Sequence, residues 1–127
     1  MLNGFEQQTK PLTEYEFEIL PIIVKCLKRH IGKDNAITND EMSEGMYKHG
    51  YRKVGSARIR KIINHIRING MIDGLMATSD GYYITTDIKE MMSYISSLDG
   101  RIQAITEVRD AMVEQLDRLI ESNAIVS

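Results

Sequence analysis

The chain has 127 residues, 43% of them hydrophobic and 27% charged, with a net charge of -2, enough for one compact core and too little for two ordinary domains. That near-neutral total excludes a protein that holds a polyanion by bulk charge. The single Cys26 excludes an intramolecular disulfide, argues against a structural zinc, and sits in an apolar stretch as a buried thiol would.

Residues 1–11 are polar and aperiodic up to Pro11, and read as a flexible N-terminal arm. Thr13 with Glu16 three positions on forms a capping box, and Phe17, Leu20, Val24, Leu27 and Ile31 repeat at spacings of three and four. This predicts a first helix closing at Gly32, with a kink at Pro21. Thr38 and Glu41 form a second box, flanked by Ile37 and Met42 as a hydrophobic staple, and predict a short helix over about 39–48 ended by Gly50. A third helix begins near Ser56, turns Ile59, Ile62, Ile63 and Ile66 to one side, and closes at Gly70.

The period then changes to that of strands. Residues 75–78 and 82–85 are β-prone runs around Ser79-Asp80-Gly81, a strong hairpin signal. Tyr82 and Tyr83 alternate in direction, so one is expected in the core and the other facing solvent or DNA. Asp87 with Glu90 forms a further capping box. From there a repeat runs through Ile88, Met91, Ile95, Leu98, Ile102, Ile105, Met112, Leu116 and Leu119, interrupted only by Arg109. A three-four alternation held this long predicts a coiled-coil seam and a homodimer, with Gly100 the place for a kink or break. The longest apolar run, residues 19–24, is too short to cross a bilayer, and MLNGFEQQTK lacks the apolar core of a signal peptide. No membrane contact and a cytoplasmic location are expected. The expected organisation is therefore an arm (1–11), a domain (12–86) and a helical dimerisation segment (87–127).

Charge is distributed unevenly. Residues 25–72 hold eleven Lys and Arg against four Asp and Glu, and the rest of the chain holds five against fourteen. Between Glu44 and Asp73 there is no acid, while Lys48, Arg52, Lys53, Arg58, Arg60, Lys61 and Arg67 all fall there. Solvated helices usually interleave both signs, as Glu107, Arg109, Asp110, Glu114, Asp117 and Arg118 do.

Helix, short helix, helix and hairpin in this order form a mainly α fold, the winged helix-turn-helix, followed here by a long C-terminal helix. Its third helix enters the major groove. With the four isoleucines inward, Ala57, Lys61, Asn64 and Ile68 are expected to point directly away, Arg60 and Arg67 on one flank, Arg58 and His65 on the other. Arg58, Lys61 and Asn64 are assigned to base edges and Arg52, Lys53, Arg60 and Arg67 to phosphates. Ser56, His65, Ser79 and Tyr82 complete the set of residues expected to bind DNA.

The stretches AITNDEM, ARIRKIINHIRINGMI and SDGYYITTDIKEMMSYISSLDGRIQAI resemble the small winged helix-turn-helix proteins of bacterial phages and mobile elements, over about residues 12–112. The resemblance implies binding to double-stranded DNA, with no particular operator, regulated gene or small-molecule effector. Tips of such wings often carry Lys or Arg, whereas this one has Asp80.

His30, His49 and His65 are scattered without ligand spacing, Asp40 and Glu41 suit the first turn of a helix, and no phosphate loop or nucleophile elbow is present. Neither catalysis, nor a metal, nor a cofactor is expected. The reading is a sequence-specific, homodimeric DNA-binding regulator of transcription or of a mobile element. The alternative is a protein-interaction module, a winged-helix adaptor with a coiled-coil arm.

Overall fold

The computed structural model describes residues 10–126, so most of the expected N-terminal arm lies outside the described residues. The protein is mainly helical, with a two-stranded antiparallel hairpin and a long C-terminal helix. In chain order the elements are α1 (Glu14–Leu27), a 3-10 turn (Lys33–Asn35), α2 (Asn39–Lys48), α3 (Ser56–Ile68), β1 (Leu75–Thr78), β2 (Gly81–Ile84) and α4 (Ile88–Val126). Two compact units divide between Thr86 and Asp87.

Both N-terminal capping boxes form: Thr13 and Glu16 exchange side-chain and backbone bonds at the start of α1, and Thr38 and Glu41 do the same for α2. Each satisfies two N–H groups that a helix start leaves orphaned. Pro21 is accommodated inside α1. The face that α1 buries is the expected one only in part, at Leu20, Val24 and Leu27. Ile19, Leu20, Ile23 and Leu27 are the core residues, whereas Phe17 is 52% and Ile31 55% exposed. α1 also stops at Leu27, five residues before Gly32. The linker that follows serves the sheet instead: Gly32 N–H donates to Ile84 O at 2.9 Å and Ile84 N–H to His30 O at 2.8 Å.

Core packing falls mainly to α3, whose Ile59, Ile62, Ile63 and Ile66 are all essentially inaccessible. Each such burial contributes about 1.5–3 kcal/mol. They meet Ile23 and Leu27 of α1, Met42 and Met46 of α2, and Leu75 and Tyr82 of the hairpin in one cluster.

The hairpin pairs Leu75 with Ile84, Met76 with Tyr83, Ala77 with Tyr82 and Thr78 with Gly81, so β2 starts one residue earlier than the sequence predicts and the tip is only Ser79-Asp80. Ile37 and Tyr82 exchange two backbone hydrogen bonds. Gly81 has φ +119°, and a Cβ there would collide with the carbonyl of Ile37, so only glycine permits this close approach.

α4 runs without a break through Gly100, for about 58 Å at roughly 1.5 Å per residue. Asp87 caps it by accepting from Lys89 N–H at 2.9 Å. Glu90 Oε1 is buried without a hydrogen-bond partner. Among the described residues no helix is long and apolar enough to cross a membrane.

Candidate nucleic-acid interface

The basic segment 45–72 is carried by the end of α2, the loop to α3, and α3 itself. Unlike α1 and α2, α3 starts without a side-chain cap and without an acid in its first turn, at Gly55. No acid of its own therefore offsets the positive end of its dipole. Lys48, Arg52, Lys53 and Arg60 are exposed, and Ser56, Arg58, Asn64, His65 and Arg67 are partly so.

The outward direction expected for Lys61 is corrected. Lys61 is buried, and its Nζ donates to Glu16 Oε1 at 2.6 Å. Arg58 Nε lies 3.2 Å from Glu16 Oε2, with 41% of the Arg58 side chain exposed against 3% for Glu16. The same glutamate accepts from Thr13 N–H at 2.8 Å, so one carboxylate closes the capping box and also fixes two cations of α3. Burial pushes the Glu16 carboxyl up, but the Lys61 ammonium and the Thr13 amide outweigh it and hold its pKa below the ordinary value.

The neighbours of Glu16 extend this arrangement. The Arg52 guanidinium lies 3.9 Å from the Tyr15 ring centroid and that of Arg58 5.5 Å, both within cation–π range. Phe17 meets His65 edge-on at 5.8 Å. Tyr15, Glu16 and Phe17 thus occupy the flank of α3 that carries Arg58, Lys61 and His65. That side is not the bare surface a single-helix wheel suggests, because the packed α1 covers it.

On the other flank, Tyr82 is buried and its hydroxyl donates to Asn39 Oδ1 at 2.8 Å. Burial raises its pKa, partly offset by the Asn39 bond and by the nearby Arg60 and Arg67 charges. Of the two tyrosines, neither faces out: Tyr83 is only 3% exposed. Tyr82 lines the inner edge of the Arg60 and Arg67 flank and leaves no aromatic face for a ligand. Ser79 and Asp80 are exposed at the tip, where Asp80 N–H donates to Thr78 Oγ1 at 3.2 Å.

In the second unit, Ile88, Ile95, Ile102, Ile105, Met112, Leu116 and Leu119 are between 50% and 76% exposed. Met91 and Leu98 are partly exposed. Arg109 pairs with its neighbour Asp110 at 2.8 Å.

The sequence reading missed Tyr15, Glu16, Phe17 and Asn39 as partners of the basic segment. The signal for Glu16 lay in the sequence: with Ile19, Leu20, Ile23 and Leu27 inward, position 16 falls on the buried face of α1. Among the described residues no group of His, Cys, Asp and Glu could hold a metal ion. Comparison with protein-family models, with curated proteins and with solved structures gives no match.

Proposed function

We propose that the protein binds double-stranded DNA sequence-specifically, as a winged helix-turn-helix homodimer that lays α3 in the major groove and regulates transcription or a mobile element. The observation that carries this reading is the charge of residues 45–72: seven cations and no acid, with Lys48, Arg52, Lys53 and Arg60 exposed. Such a surface suits phosphate oxygens and the acceptor-rich base edges, and the uncapped start of α3 adds partial positive charge of the same sign. The burial of Lys61 moves the reading face toward Ala57, Arg60, Asn64 and Arg67. In this reading Asn64 contacts a base edge, Arg60, Arg67, Lys53 and Arg52 hold phosphates, and Arg58 reaches the groove only with the part of its guanidinium not turned to Glu16.

Electrophoretic mobility on genomic fragments at graded salt tests this, with retardation expected to weaken as salt rises. Failure to retard duplex DNA even at low ionic strength would leave the protein-interaction module as the reading. Asn64→Ala is expected to cost about 1–3 kcal/mol on the preferred site and relax specificity there; equal loss on all sequences would reassign Asn64 to the backbone. Asp80→Lys is expected to tighten binding to every sequence and to steepen the salt slope by about one unit per added phosphate contact. Unchanged affinity and slope would place the hairpin tip away from DNA.

A further inference from the structure

A cavity of about 510 Å³ lies between α1 and α2, within the range that small-molecule sites occupy. On the α2 side its lining residues Glu41, Met42, Gly45, Met46 and His49 fall on one face of the helix, with Gly45 near the middle of that face. The facing wall is Ile22 and Cys26 of α1, with Lys25 and Arg29 beside them.

Nothing in the fold requires a glycine at position 45. Its backbone is ordinary right-handed helix, and a Cβ there would meet no atom within 4 Å. Glycine in a helix interior is destabilising relative to alanine. What the missing side chain leaves is room in the cavity.

The lining also has a sign of charge. Lys25 and Arg29 are exposed and make no ion pair among the described residues. The acid among the lining residues, Glu41, is engaged at the start of its own helix, where Oε1 accepts from Thr38 N–H at 3.1 Å. His30 and His49 complete the titratable lining. Each is held through Nδ1 at 2.7 Å from a backbone carbonyl, of Asn35 and Gly45 respectively, and neither adds negative charge. The floor is apolar and adaptable: Met42 and Met46 are buried, and thioether side chains conform to apolar groups of varied shape.

We propose that this cavity binds a small amphipathic carboxylate, its apolar body against Ile22, Met42 and Met46 and its acid group at Lys25 and Arg29. The two unpaired cations select an acid over a neutral or cationic amphiphile, and the volume admits a small molecule. The site does not depend on DNA binding.

Octanoate is the probe, with octanol as its uncharged counterpart, each titrated into the full chain and followed by amide NMR shifts. Saturable shifts are expected over residues 22–30 and 41–51, with octanol bound about tenfold or more weakly for want of the charged contact. Gly45→Leu is expected to raise the urea midpoint, because a good helix former replaces glycine, and to weaken octanoate about tenfold or more by filling the cavity. A residue that served only the fold would not separate those two readouts. Lys25→Gln with Arg29→Gln, both at exposed positions, is expected to bring octanoate down to the affinity of octanol. The site is overturned by the absence of saturable shifts at millimolar octanoate, by shifts confined to α4, by equal affinity for octanoate and octanol, or by undiminished binding to Gly45→Leu.

Discussion

Replacing Glu16 with alanine is expected to cost about 3–5 kcal/mol of folding stability, read from the shift in the urea midpoint, because it removes one partner of a buried ion pair. Lys61 would keep its ammonium in a site where the residue is only 9% exposed, and Thr13 N–H would lose its acceptor. Replacing both partners, Glu16→Leu with Lys61→Met, is expected to recover most of the loss, since apolar side chains of similar volume need no partner. A single-variant loss below about 1 kcal/mol would mean that the Lys61 stem straightens and carries its charge to water. The pH dependence has a definite sign. The folded pKa of Glu16 is below its ordinary value near 4.5, so the pair's contribution is fully present above that value and is lost as pH falls through the lower, folded one. The stability lost in Lys61→Met is therefore expected to be largest near neutral pH and to shrink as pH falls through the Glu16 titration.

How far the sequence reveals this molecule differs from element to element. Both capping boxes, the start and end of α2 and the isoleucine face of α3 are readable because each follows from residues within one or two turns. The buried face of α1 is harder, since Phe17 and Ile31 offer a second apolar spacing as good as that of Ile19 and Ile23, and only packing against α3 chooses between them. The linker from His30 to Ile37 gives no periodic signal because it meets β2 through isolated backbone bonds. The site shows the same limit. A wheel of α3 alone sorts Lys61 with Asn64, yet a glutamate forty-five positions earlier turns Lys61 inward. Local sequence gives the charge of a helix face, whereas which part of that face stays bare depends on neighbours remote in sequence.

A chain ended after Ser97 is expected to sediment as a monomer and to bind DNA about 10²–10⁴-fold more weakly, the usual loss when two linked sites become one. The first unit retains its own core in such a chain, because the buried cluster runs only from Leu12 to Tyr82. What is removed is the seam from Leu98 onward. Gly100 offers no route for that seam to fold back, since α4 is helical on both sides of it. In water the exposed apolar residues of residues 102–120 would form a patch larger than soluble monomers usually leave open, so a second copy is the economical cover. Two-fold pairing then presents two copies of α3, and the preferred DNA site becomes an approximate palindrome. Arg109 is the test within the test. Its side chain is 70% exposed and paired to Asp110 on its own helix, which lets it lean out of a two-stranded seam at little cost. Ile102→Glu with Ile105→Glu, which leaves the chain length unchanged, is expected to reproduce the monomer and the loss of affinity. Full-length protein that is monomeric at micromolar concentration, or a truncated chain that binds DNA as tightly as the whole, would remove the dimer from the mechanism.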